Sequence, residues 1–227
     1  MTTQILLYNE ALGHLGERAL AQLPNGNYEN REARRVLDSY WANVVDYCLA
    51  QGLWRFARRM IRQDADTTVI PQFGFNNAFA YQSDFIRTIV ISSSAQLDPP
   101  LLQYRDEGGY IYTNVTPIYH DYVSNDPTYG GDVDGWPMNF SDYVPRRLAR
   151  QACFRITKSM TLVPELIKQE DKARRVAKAE DAMNDPPGMP PVPFWARARR
   201  GAFGPGGLWF GGSSDSSENG SLTTGPG

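Results

Sequence analysis

The stretch Asn30–Leu53, NREARRVLDSYWANVVDYCLAQGL, decides the fold class. Ala33, Leu37, Tyr40, Trp41, Val44 and Cys48 recur at three- and four-residue steps, which is the spacing of one apolar helix face. Arg31, Glu32, Arg35 and Asp38 occupy the opposite face. Asn30 is a suitable N-cap and Gly52 a suitable C-cap, so a helix is expected from Asn30 to about Gln51. At about 1.5 Å per residue it is a rod of roughly 30 Å. A rod with one apolar face needs partners, and the rest of the chain is read for them.

Upstream, Thr3 can cap a helix running to about Gln22, with Ile5, Leu6, Tyr8, Leu12 and Leu15 as its stripe. Gly13 and Gly16 weaken it by up to ~1 kcal/mol each relative to Ala. Pro24-Asn25-Gly26-Asn27 reads as a loop. Downstream, residues 54–139 are punctuated by Pro and Gly, and strand-like runs lie between them: Phe85–Ser92, Leu101–Tyr104, Tyr110–Asn114 and Ile118–Val123. Asp106-Glu107-Gly108-Gly109 reads as a hairpin turn. A third helix is expected from Ser141 or Asp142, which puts Pro145 in its first turn, with Val144, Leu148, Ala152, Ile156 and Met160 inward. A fourth runs from Pro164 to about Asn184, with Glu170–Arg174 and Asp171–Arg175 paired on its exposed side.

The expected fold is therefore α+β, mainly α. A bundle of about four helices carries an inserted small β region, which projects from one end, and an extended C-terminal tail. The segments are 1–53 for helices 1 and 2, 54–140 for the insertion, 141–185 for helices 3 and 4, and 186–227 for the tail.

The chain has 227 residues, 41% of them hydrophobic, a mean hydropathy of −0.46 and a formal net charge of −2. This is enough for one buried core, and no apolar run approaches the ~20 residues that span a bilayer. Met1-Thr2-Thr3-Gln4 lacks a basic region followed by an apolar one, so no secretory signal is expected, and the asparagine triplets at Asn114, Asn139 and Asn219 carry little meaning. A mildly acidic chain argues against general nucleic-acid binding. Cys48 and Cys153 lie on apolar helix faces and read as buried free thiols.

No catalytic residue, cofactor or metal is expected. His14 and His120 have no partners at metal-ligand spacing, and no GxSxG, HExxH, Walker A or GxGxxG pattern occurs. Asp132 and Asp134, or Asp106 and Glu107, could supply paired carboxyls for glycoside hydrolysis. Beside Gly-Gly, however, such residues are ordinary loop chemistry.

The final segment, Pro186 to Gly227, is the least globular. Seventeen of its 42 residues are Pro or Gly, well above the level of a packed domain. It nevertheless carries Phe194, Trp195, Phe203, Trp209 and Phe210, with a basic cluster at Arg197, Arg199 and Arg200. A plain flexible tail is poor in rings. This one reads as a strap that docks onto a partner.

Taken in order, the residues also resemble a known family. Ile5 to Leu12 (ILLYNEAL) leads to Leu15-Gly16-Glu17-Arg18, then Asn30 to Asp38 (NREARRVLD), Asp46 to Trp54 (DYCLAQGLW) and Phe56-Ala57. Tyr122 to Pro127 (YVSNDP), Tyr129-Gly130-Gly131 and Trp136-Pro137 follow. Spanning residues 4 to 184, this set is similar to the tail tubular protein A family, the head-to-tail adaptors of short-tailed bacteriophages. The resemblance implies a structural virion protein, made in the host cytoplasm and placed at the head–tail interface. It implies a homo-oligomeric ring of twelve joining the portal protein to a nozzle resembling tail tubular protein B. DNA would transit the ring at ejection without sequence-specific binding. A tail fibre is a further partner it admits, and no membrane contact is implied.

On that reading the aromatic and basic tail meets the portal, Arg31, Arg34, Arg35 and Asp38 are inter-subunit candidates, and Tyr129 and Trp136 are nozzle-facing candidates. Two rival readings are a tail-associated glycan hydrolase and a DNA-binding packaging factor. The latter would use Arg197, Arg199 and Arg200 beside Trp195 on phosphates and bases.

Overall fold

A computed structural model of the chain describes residues 3–24, 26–72 and 74–184. The tail residues expected to dock on a portal lie outside this set. Four helices are described: α1 (Gln4–His14), α2 (Glu32–Ala50), α3 (Met138–Thr157) and α4 (Val163–Met183). Between α2 and α3 come strands β1 (Arg58–Gln63), β2 (Asn77–Ala80), β3 (Phe85–Ser92), β4 (Arg105–Glu107), β5 (Tyr110–Thr113) and β6 (Ile118–Ser124).

They form two antiparallel three-stranded sheets, ordered β1-β6-β3 and β2-β5-β4. With 43% helix and 19% strand among the described residues the fold is mixed α/β, and this overturns the expected helical bundle with a projecting β insertion. The physical reason is burial. α2 packs on β3 and β6, and Trp54, Ala57 and Val123 share one continuous core with all four helices. A strand that closes the main core is not an appendage. The second sheet lies farther out, where Phe79 and Ile111 meet Ile91 and Ile118 of the first in a small cluster.

α3 is the hub of the helices. It touches α1, α2 and α4, and Phe140, Tyr143, Val144, Leu148, Ala149 and Ala152 are at most 1% exposed. It begins at Met138, four residues or one turn ahead of the expected Asp142 cap, so Pro145 sits inside the helix and the Ser141 carbonyl loses its i+4 donor. It ends at Thr157 because Lys158 turns left-handed (φ 56°), which leaves Met160 outside the helix and 62% exposed.

α1 also stops early. Gly16 has φ 71°, its N–H bonds to the Gly13 carbonyl and that of Glu17 to the Leu12 carbonyl, the two bonds of a Schellman C-cap. Gly16 is thus a stop signal, not a weak point inside a longer helix. Gly52 is not a left-handed cap either. A Cβ there would lie 2.6 Å from the Trp54 ring, which folds back so that its indole N–H donates to the Cys48 carbonyl at 3.0 Å.

Of the expected strands, β3 has the anticipated bounds, and β5 and β6 differ from theirs by one residue. Leu101–Tyr104 is not a strand: only the Ser92–Pro100 bridge forms there, since two adjacent prolines offer no donors and Leu102 points outward at 86% exposure. Asp106 and Glu107 belong to β4, so the hairpin turn is Gly108-Gly109, both left-handed. Pro164 falls in the first turn of α4, as expected.

Candidate functional site

The later segments of the set that carries the family resemblance, from Asp46 onward, are scattered in sequence but meet at one junction of α2, β6 and the loop into α3. Asn125 donates from its side-chain amide to Asp46 Oδ1 at 3.0 Å, tying the end of β6 to α2. Gly130 and Gly131 follow because the chain doubles back tightly. A Cβ on Gly130 would lie 2.2 Å from the Ser124 carbonyl oxygen, and one on Gly131 would lie 2.5 Å from that of Asn125. Trp136 stacks on Trp41 with centroids 6.0 Å apart, and meets Phe140 edge-on at 5.0 Å. Phe140 in turn contacts Trp54 and Phe56. Trp136 is 6% exposed, so this nozzle-facing candidate is a core ring. Tyr129 is half-buried, with the Arg59 guanidinium 5.6 Å from its ring centre.

Beside the junction lies a buried polar knot. Asp84 accepts from the Tyr122 hydroxyl (3.1 Å), the Ser124 hydroxyl and Arg59 (2.8 Å). Burial alone would raise the Asp84 carboxyl, but the Ser124 and Arg59 donors outweigh it and hold it below the ordinary range. His120 is 1% exposed among Tyr81, Phe85 and Tyr122, and burial lowers it to about 4.

The charged face of α2 is largely engaged with its own chain. Arg31 donates to the Arg18 carbonyl and lies 3.6 Å from Glu29. Arg34 donates to the Tyr28 carbonyl (3.0 Å) and faces Asp38 at 3.7 Å, while Asp38 accepts from Tyr8 at 2.8 Å. Among the described residues Arg35 has only the local side-chain partner Glu32 and stays 65% exposed, so it is the most available of the four. On α4, Glu170 faces inward instead of pairing on the surface. It is 4% exposed, 3.3 Å from Arg147 and 2.9 Å from Arg150, while Arg174 takes Asp171.

Asp132 accepts from the Asp134 backbone N–H in a short turn, and Glu107 pairs with Arg105 along β4. The structure instead joins two carboxyls that the sequence reading did not pair, Glu10 of α1 and Asp142 of α3. Burial, and then the Asp142 charge, push Glu10 up to about 7. They border a groove of about 620 Å³ with Leu6, Trp136 and Met138. The two carboxyls lie close enough for the Asp142 charge to act on Glu10.

Several large apolar side chains stand in solvent: Leu6 (54%) and Met138 (87%) at this groove, and Phe154 (57%) and Met160 (62%) at the α3–α4 turn. Exposed apolar side chains gathered in one place mark contact surfaces, as Leu6 and Met138 are in this groove. A further cavity, of about 500 Å³, gathers Arg55, Arg58, Arg87 and Lys178 from elements far apart in sequence, so nothing in the linear order announces it. Among the described residues no three His, Cys, Asp or Glu side chains converge as a metal-binding group, and no helix is long and apolar enough to cross a membrane. No family model matches the chain, and no curated protein matches it at a significant level.

Proposed function

We propose that this chain is a non-enzymatic structural virion protein, a ring-forming head-to-tail adaptor between portal and tail nozzle. One observation carries the reading. Seven residues of the set that resembles the adaptor family (Asp46, Trp54, Phe56, Asn125, Gly130, Gly131 and Trp136) converge on a single framework junction of rings, tight turns and side-chain hydrogen bonds. Residues that build such a junction define how a subunit is put together. Their contacts are with one another and with the backbone of the loop. The exposed apolar side chains at the Leu6–Met138 groove and the α3–α4 turn supply surface for neighbours. A subunit ring needs a heterologous interface that closes on itself, and two separated apolar surfaces suit that geometry.

The test is the mass of the purified full chain, alone and after mixing with its portal. The expected outcome is a ring assembled with portal, lost when Pro186 to Gly227 are removed while the remaining domain stays folded. A chain that stays monomeric beside its portal would sink the adaptor reading.

A further inference from the structure

We infer that the basic cavity at the C-terminal end of α2 is a docking pocket for an acidic peptide segment of a protein partner. This goes beyond the adaptor reading and does not depend on it. The cavity, of about 500 Å³, is bounded by the end of α2, by β1 and β3, and by the last turns of α4. Four cations line it against one carboxylate, Asp181. Arg58 is partly neutralised from behind by the fully buried Asp121, so the positive charge offered to the cavity is that of Arg87 and Lys178, neither of which has an ion pair among the described residues.

The cations are held in place to different degrees. Arg87 donates to the Ala50 carbonyl at 3.2 Å, which fixes its guanidinium at the rim. Asp181 accepts from the Arg55 backbone N–H at 3.2 Å. The Lys178 side chain makes no hydrogen bond or ion pair among the described residues. Burial, then the charges of Arg174 and Arg87, lower its pKa, as expected for a cation among cations lacking a counter-ion.

Two features favour a peptide over nucleic acid. The cations converge on one concavity, whereas a nucleic-acid site tracks a backbone with a row of charges. The remaining lining is aliphatic where stacking would need an open ring face: Leu53 is 49% exposed and Ile89 half-buried, while Trp54 shows only 1% of its surface. Guanidinium forks match carboxylates bidentately, and Leu53 and Ile89 provide a shelf for the aliphatic side chains beside them.

The experiment uses the full chain and the acetylated peptide Glu-Glu-Leu-Glu-Glu-Leu, with binding read by titration calorimetry. Three proteins are compared: the unaltered chain, Lys178→Glu, and Lys178→Glu combined with Arg87→Gln. Both side chains are exposed, and circular dichroism checks that the variants fold. The expected result is saturable binding that weakens with salt and falls about tenfold or more in the double variant. A peptide that fails to bind, or that binds the double variant equally well, overturns the proposal. So does oligothymidylate if it displaces the peptide and shows the same dependence on Lys178 and Arg87, since that would make the pocket a nucleic-acid site.

Discussion

The Trp136 indole N–H donates to the Gly130 carbonyl at 2.8 Å, closing the loop between β6 and α3 on itself. The bond is buried, and it fixes which way the indole enters the core to stack on Trp41. It also requires the backbone at Gly130 to lie against Ser124, Ala57 and Leu49, whose atoms would stand 2.2, 2.9 and 3.1 Å from any added Cβ.

Gly130→Ala should therefore destabilise the domain by about 3 kcal/mol or prevent folding, because the nearest obstruction is a backbone oxygen that cannot rotate away. Gly135→Ala serves as the control in the same loop, since its nearest neighbour is a side-chain carboxylate oxygen at 3.1 Å that can move. Chemical denaturation of the two variants checks this. Equal stability would show that the loop is free to rearrange.

Glu10 gives a pH signature of opposite sign to ordinary acid denaturation. Its folded value is raised from 4.5 to about 7, by burial first and then by Asp142. Between those limits the folded state retains a proton that the unfolded chain has released, so stability falls as pH rises through the window and is level above it. The Glu10 side chain is 41% exposed, so solvent screening leaves about 1 kcal/mol. Glu10→Gln should abolish that loss between the two values. Melting temperatures across the range measure it, and an unchanged profile would mean the carboxyls do not couple.

Asp84 and His120 act in the usual direction. The Asp84 carboxyl is held below its ordinary value, so its contribution is present above that value and lost as pH falls through the folded one. His120 is lowered from 6.5 to about 4, so the unfolded chain binds the extra proton and stability falls on acidification between those limits. Asp84→Ala should cost about 3 kcal/mol, because Arg59, Tyr122 and Ser124 lose a shared buried acceptor. Urea unfolding of Asp84→Ala beside Asp84→Asn reads it, and the amide, which keeps one acceptor oxygen, should cost less.

How far the linear order carries the fold can be argued from single residues. The β4–β5 hairpin turn is legible because adjacent glycines at Gly108 and Gly109 can both adopt positive φ. α2 is legible because its apolar face keeps the helical period. β1 is not, since Arg58-Arg59-Met60-Ile61-Arg62-Gln63 lacks polar–apolar alternation and has one β-branched residue and no aromatic, and it is a strand only because β6 offers it an edge. The error over the bundle follows from β6. Its burial on both faces depends on what covers it, and its sequence, with His120 and Asp121 in the middle, does not announce a central strand. The basic pocket shares this limit, because Arg58, Arg87 and Lys178 meet only after the sheet and α4 have closed on α2.

The ion pair between Arg147 and Glu170 is the clearest case where removing one partner and removing both should differ. Both side chains are under a tenth exposed, they stand 3.3 Å apart, and the Arg147 guanidinium lies 3.8 Å above the Tyr47 ring. Glu170→Ala leaves Arg147 charged in the core, which costs about 3–5 kcal/mol. Arg147→Met combined with Glu170→Leu fills the same space with apolar atoms and should recover most of that loss. Arg150, whose side chain is already 28% exposed, can turn to water once Glu170 is gone. The measurement is the urea midpoint of the two variants beside the unaltered chain. If the double variant is no more stable than Glu170→Ala, the pair holds α3 and α4 together through its specific hydrogen-bond geometry and not through volume.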